Sequence, residues 1–377
     1  MIVGLAATAL VGCGRSDAPE APPPADDSPT RRVVTPADLP QDRPYSYGVR
    51  VGDSLFLAGQ LGTDPATGTL PDGIDAQTRQ AMANIGTILA AEGLSHAHLV
   101  KCHVYLAGMD DYAGMNAAYG SMFSGRVPAR TTVEAAAVPG NSLVEIACVA
   151  HADLDAIAVV RPPEGSLPAP LGPYSAAVWA GDTLYLSGMG GQDPADRTVA
   201  DGVPGQVTQT LANIGTTLSA AGLGFDHVVA ATIYYTTRDE MEGVPDAFAA
   251  PFLPGPVPDV SRVFLPRLPG PIKVEVTFVA ARSPGDTLFL PATTGTGADV
   301  RAQARAAFVA LQQRVERAGL AWRDVASVQV YLADLADMPA MDEVFREVFP
   351  EAPPARTTIQ AQLEGPSRVE IAAIAAR

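Results

Sequence analysis

Large apolar residues alternate along Val51-Gly52-Asp53-Ser54-Leu55-Phe56-Leu57-Ala58-Gly59, and the pattern returns at 180–188 and 284–292. Each copy predicts a Gly-Asp turn feeding a strand with period two. A helical stripe follows: Met82, Ile85 and Ile88/Leu89 in the first copy, and Val300, Ala304, Phe308, Leu311 and Val315 in the third. Met82-Ala83-Asn84-Ile85-Gly86-Thr87 matches Leu211-Ala212-Asn213-Ile214-Gly215-Thr216 at the same offset as the strand. Gly93, Gly222 and Gly319 suit the left-handed residue that ends such helices. Strands are predicted over 100–106, 229–235 and 326–332, and a second helix carries Met115, Tyr119, Met122 and Phe123. The order strand, strand, helix, strand, helix, strands gives two-layer α+β units with helices on one sheet face. Three copies fall at 43–153, 154–282 and 283–377, the third lacking the segment before its Gly-Asp turn. A period this long excludes a solenoid and favours a fused trimer about a pseudo-threefold axis, a monomer in solution.

The N-terminal pattern differs. Residues 2–12 form an apolar run too short to cross a bilayer as a helix but of the length of a signal h-region. No Lys or Arg precedes it, and Leu10-Val11-Gly12-Cys13 resembles a bacterial lipobox. The expectation is a signal over 1–13, a lipid on Cys13, a Pro/Ala/Asp-rich disordered tether over 14–42, and an exported body held beside the membrane by that lipid alone.

Charge narrows the chemistry. The chain has 377 residues and a formal charge of −16, and its 25 basic residues include only two lysines, Lys101 and Lys273. Without clustered positive charge, nucleic acid is excluded as a partner. Five His and three Cys, with no CxxC or HExxH spacing, exclude a zinc finger or zinc protease and leave no metal expected.

The chemistry-bearing residues lie near the end of each copy. Val127-Pro128-Ala129-Arg130-Thr131-Thr132-Val133-Glu134 precedes Leu143-Val144-Glu145-Ile146, and Pro354-Ala355-Arg356-Thr357-Thr358 precedes Arg368-Val369-Glu370-Ile371. These stretches resemble the signature of the Rid family, the RidA-like enamine/imine deaminases also called endoribonuclease L-PSP. Leu171-Gly172-Pro173-Tyr174-Ser175 and Arg43-Pro44-Tyr45-Ser46 resemble its N-terminal motif, and the strand ends at Gly59 and at Ser187-Gly188 resemble its Ser-Gly-Gln. The resemblance spans 43–377. It implies chorismate-mutase-like units, interface sites, and cofactor-free hydrolysis of 2-imino or 2-enamino acids to 2-keto acids and ammonia. A guanidinium can grip the substrate carboxylate with two parallel hydrogen bonds, and a carboxylate can hold the attacking water.

Taken copy by copy, the fullest set is Tyr45, Gly59, Asn116, Arg130 and Glu145. Arg130 and Glu145 are expected on adjacent strands joined by a loop. Ala58 stands where the family has Ser. The second copy keeps Tyr174, Ser187 and Glu275 but has Val260 at the arginine position, with Arg262 two residues on. The third keeps Arg356 and Glu370, places Asp342 opposite Asn116 and lacks the tyrosine motif, so at least one site is expected to be dead. Cys102 and Cys148 align with apolar residues in the sister copies and read as buried thiols, a disulfide being the alternative. The histidines receive no role. The competing function is a non-catalytic carboxylate-binding or scaffold pseudo-trimer; a ribonuclease conflicts with the charge.

Overall fold

The computed structural model describes residues 31–283 and 285–377, with Met1. The apolar run, Cys13 and the tether up to residue 30 lie outside the described residues. The first unit contains β1 (Arg32–Val34), β2 (Gly48–Val51), β3 (Ser54–Leu57), β4 (Gln60–Leu61), α1 (Gly73–Ala90), β5 (Leu99–Leu106), α2 (Tyr112–Gly120), β6 (Ala129–Glu134) and β7 (Val144–His151). The second repeats this as β8 (Ile157–Val160), β9 (Ala177–Ala180), β10 (Thr183–Leu186), β11 (Met189–Gly190), α3 (Val203–Ala220), β12 (Val228–Tyr235), α4 (Val244–Ala249), β13 (Val260–Phe264) and β14 (Val274–Ala281). The third has β15 (Thr287–Thr294), α5 (Val300–Arg317), β16 (Val325–Leu332), α6 (Met338–Val348), β17 (Ala355–Gln360) and β18 (Val369–Ala376).

Each unit has its own sheet: β1-β2-β3-β7-β5-β6, β13-β12-β14-β10-β9-β8, and β15-β18-β16-β17, with β4 on β7 and β11 on β14. The long helix of each unit buries its apolar stripe on one sheet face; Met82, Ile85, Ile88 and Leu89 meet Val104, Ile146 and Cys148. The helices end as expected, with Gly93, Gly222 and Gly319 at φ of 70°, 74° and 80°. The second helix stops earlier than predicted, at Gly120; Met122 and Phe123 still pack on the core from the turn beyond it.

The opposite sheet faces meet around a pseudo-threefold axis. Tyr105, Tyr234 and Tyr331, equivalent residues of the three units, share one cluster with Val133, Val263 and Ile359. Edge strands join neighbouring units through Ala129 beside Ser175, Ser46 beside Ala355, and Phe264 beside Gln362. The three α+β units thus form an intramolecular trimer.

Two expectations need correction. The first unit begins before residue 43, because Arg32–Val34 pair with Gly48–Arg50, and Val34 and Leu39 join the core beneath α1. Two apolar side chains with a sheet edge to pair against outweigh the polar composition around them. Cys102 and Cys148 are not free thiols: they form a disulfide, their Cα atoms 4.1 Å apart. They are directly opposed on β5 and β7, so the apolar counterparts in the sister units reported burial correctly but not pairing.

Candidate active site

The expected set in the first copy does not assemble. β5 lies between β6 and β7, so Arg130 and Glu145 are not on adjacent strands. Arg130 is in register with Cys102 and Glu145 with Tyr105. Cys102 and Tyr105 are three residues apart, so they face opposite sides: Cys102 toward the helices, Tyr105 toward the axis. Two strand spacings and three residues put the Cα atoms of Arg130 and Glu145 roughly 14 Å apart. Each arginine therefore meets the glutamate of the next unit, and the five residues divide between two interfaces.

At the interface of the first and second units, Arg130 is buried. Its Nη2 donates to Asn116 Oδ1 at 2.6 Å and lies 3.4 Å from the Tyr112 hydroxyl. The guanidinium carbon is 5.9, 5.1 and 5.4 Å from the ring centroids of Tyr112, Tyr119 and Tyr174, a cage that holds the cation by its π-faces. Arg130 makes no ion pair among the described residues.

The second unit supplies the rest. The Arg130 backbone N–H donates to Ser187 Oγ at 2.8 Å, and Gly188 N–H donates to the Arg130 carbonyl at 3.0 Å. A β-carbon at Gly188 would overlap Glu275 Oε1, and one at Gly172 would collide with Arg130 and Asn116. Glycine at both positions thus lets the carboxyl and the 171–174 loop close on the guanidinium. Glu275 is buried, and burial pushes its carboxyl up to about 8, against the pull of Lys101, Arg130 and the Thr132 backbone N–H. Lys101 Nζ binds Thr131 Oγ1, the Leu186 carbonyl and Thr277 Oγ1 at 2.7, 2.6 and 2.9 Å, tying the two units together beneath the site. Burial lowers that ammonium to about 7, with Glu275 acting in the other direction.

The third and first units build the same frame with different chemistry. Arg356 is buried, 4.9 Å from the Tyr45 ring and 5.0 Å from the Phe345 ring. Gly59 N–H donates to the Arg356 carbonyl at 3.1 Å. A β-carbon at Gly59 would overlap Glu145 Oε1. Burial raises the Glu145 carboxyl to about 8, with the Thr358 backbone N–H and Arg356 opposing. Here Arg356 Nη2 pairs with Asp342 Oδ1 at 2.6 Å. Its Nε and Nη1 and the second Glu145 oxygen have no hydrogen-bond partner among the described residues.

Between the second and third units the frame is altered. Val260 occupies the arginine position in register with Ala231, and Arg262 is exposed. Ala292 replaces the glycine and donates its N–H to Ser261 Oγ at 2.8 Å. Glu370 is turned to accept from the Glu364 N–H at 3.1 Å.

Sequence reasoning singled out Arg130, Asn116, Tyr174, Ser187 and Glu275 but divided them between copies. It gave Gly172 and Gly188 only as motif positions and Tyr119 only as a helix residue, and it assigned no site role to Tyr112 or Lys101. For Lys101 there was a signal, a lone lysine inside an apolar strand.

An α+β trimer in one chain, with arginine and glutamate converging from neighbouring units, defines a class of interface-site proteins. The profile of the family described as Endoribonuclease L-PSP matches residues 36–152, 164–282 and 289–377. The chain belongs to that family, as three fused Rid-type units. Protein DfrA of Myxococcus xanthus is 43% identical over 119 residues, 31% of this chain and 85% of its own length. The 2-iminobutanoate/2-iminopropanoate deaminase of Capra hircus is 39% identical over 134 residues, 35% of this chain and 92% of its own. RidA from the Antarctic bacterium Psychrobacter sp. PAMC 21119 is similar at 35% identity and a TM-score of 0.31, covering 32% of this chain and 99% of its own.

Proposed function

We propose that the chain is a Rid-type deaminase hydrolysing 2-imino or 2-enamino acids to 2-keto acids and ammonia, working chiefly at the interface of its first and second units. The observation that carries this reading is Arg130, caged by tyrosines and held by a neutral amide, facing Glu275 of the next unit. The relatives named 2-iminobutanoate/2-iminopropanoate deaminase support the substrate class.

In this reading Arg130 binds the substrate carboxylate through its planar fork. Glu275, held protonated at neutral pH by burial, gives its proton to the imine nitrogen. The resulting carboxylate takes a proton from water as the oxygen bonds to carbon. Glu275 then gives that proton to the carbinolamine nitrogen and takes the hydroxyl proton as the C–N bond breaks, leaving ammonia and the 2-keto acid. A carboxyl titrating near the working pH can serve as both donor and acceptor. No cofactor enters this sequence.

The Arg356 site is weakened by Asp342, which competes with a substrate carboxylate for the guanidinium, and the third interface has lost the set. A non-catalytic carboxylate binder is the second reading, favoured by that Arg356–Asp342 pair and by Val260. Ketone release from small imino acids generated in situ, with the full chain and with Glu275→Gln, separates the two. Release no faster than background with the unaltered chain would leave the binder.

The anchor is proposed on the sequence pattern alone: an exported protein carrying a lipid on Cys13. Membrane partition of the full chain, lost in Cys13→Ser, is its test; equal solubility of both forms would remove it.

A further inference from the structure

The interface between the second and third units has lost its arginine, but it has not closed. A cleft of about 740 Å³ opens there. Its size follows from what the third unit lacks. At the first interface the 171–174 loop packs on Arg130 and Asn116, and at the site of Arg356 the 43–47 segment lies on the guanidinium. The third sheet starts at Thr287 and has no counterpart of those segments among the described residues, so none of the described residues forms a lid over this cleft.

Its walls are of two kinds. Val244, Phe248 and Met241 from α4 and its approach form an apolar side with Ile233 and Phe264, and Val257, also lining it, is exposed. Arg262 stands on the helix face of β13, in register with Ile233, and has no ion-pair partner among the described residues. The Tyr235 hydroxyl is buried without a hydrogen-bond partner among the described residues. Burial raises it to about 12, with Arg262 pulling it down and Glu364 pushing it up, so it stays a hydrogen-bond donor. Arg238 lies 4.1 Å from the Phe264 ring centroid and donates to the Gln362 and Leu363 carbonyls. Glu364 faces the cleft, and Asp259, also lining it, is paired with Arg314. In the lining Arg238 and Arg262 face Asp259 and Glu364; Asp259 is held by Arg314 and Arg238 by backbone carbonyls, which leaves Arg262 without an ion pair among the described residues beside the apolar wall.

We infer that this cleft is a binding site for a carboxylic acid carrying an apolar chain, its carboxylate on Arg262 and the Tyr235 hydroxyl and its chain along Val244 and Phe248. The arrangement stands apart from the deaminase reading, because none of these residues belongs to the Arg130 site.

Calorimetric titration of the full chain with sodium octanoate, sodium acetate and octan-1-ol tests it. Octanoate is expected to saturate one site per chain, more tightly than either of the others. Arg262→Ala should weaken it about tenfold or more through loss of a charge-assisted pair, and Tyr235→Phe by roughly fivefold through loss of one hydrogen bond. Arg130→Ala should leave octanoate binding unchanged, and Arg262→Ala should leave imino-acid turnover unchanged. Arg262 is exposed, so its loss leaves the fold intact. No octanoate binding, octanol bound as tightly as octanoate, equal affinity in Arg262→Ala, or a loss that follows Arg130 would each overturn the assignment.

Discussion

The Arg130 and Arg356 sites share one frame, in which a buried guanidinium, an aromatic ring from the next unit, a glycine and a raised glutamate converge. They differ in what touches the guanidinium: Asn116 Oδ1 at 2.6 Å in one, Asp342 Oδ1 at 2.6 Å in the other. The distances are equal and the charges are not. A neutral amide orients the fork and leaves its positive charge for a ligand, whereas a carboxylate neutralises it in place. Fusion into one chain removed the symmetry that would force three sites to change together, so each interface can be altered alone.

The largest effect expected in free energy concerns the strand under the first site. Cys102 is in register with Arg130 and bonded to Cys148, whereas Val328 holds the equivalent place beside Arg356. A closed loop spanning 46 residues corresponds to about 4 kcal/mol in the chain-entropy treatment, an upper figure because strain subtracts from it. Denaturant unfolding of Cys102→Ala/Cys148→Ala should show a loss of up to that size. An unchanged midpoint would mean that the bond does not brace the first unit.

Next come the groups proposed to be catalytic, which test the pairing across units. Arg130→Ala should lower kcat/KM about 30-fold or more, the cost of removing one half of a buried charge pair. Arg130→Lys should rescue little, because an ammonium lacks the planar fork. Glu275→Gln should match Arg130→Ala, and Glu145→Gln and Arg356→Ala should cost far less. A large loss with Glu145→Gln and none with Glu275→Gln would restore the pairing within one copy.

The same carboxyl sets the pH response. Turnover should fall as pH rises through about 8, where Glu275 loses its proton. The sign for stability is the same. The folded state holds the proton up to about 8 while an unfolded glutamate loses it near 4.5. Stability is therefore full below about 4.5 and declines as pH rises to about 8. Glu275→Gln should flatten both the rate profile and part of the stability slope; a profile unmoved by the substitution would exclude Glu275 as the titrating group.

Much of this was legible in the sequence. The three-fold repeat, the helix stripes and their glycine ends came from period and turn chemistry, and the Arg and Glu stretches pointed to the candidate site. The assembly of the site was not. Proximity in sequence suggested that Arg130 and Glu145 meet, but β5 inserts between their strands and their faces are opposed, facts that depend on strand order rather than on spacing. The 31–42 segment misled in the other direction. Its Pro- and Asp-rich composition hid Val34 and Leu39, whose burial depends on an edge strand available to pair.

Swapping the residue at the guanidinium gives the smallest effects and the sharpest test of the comparison. Asn116→Asp should place a carboxylate on Arg130 as Asp342 is placed on Arg356, raising KM and lowering kcat/KM by about tenfold as the clamp is neutralised. The reverse change, Asp342→Asn, frees Arg356, which already has Tyr45, Gly59 and Glu145 in position. If the pair is the main defect, a chain with one working site gains a second, and turnover per chain rises by roughly twofold. Ala58→Ser in the same background supplies the hydroxyl that Ser187 Oγ offers the Arg130 backbone and should preserve or extend the gain. Calorimetric titration with a carboxylate inhibitor competitive with substrate would count the sites directly: about one competitive site per chain in the unaltered protein and about two in Asp342→Asn. One in both would place the defect of the second site elsewhere than in the carboxylate on its arginine.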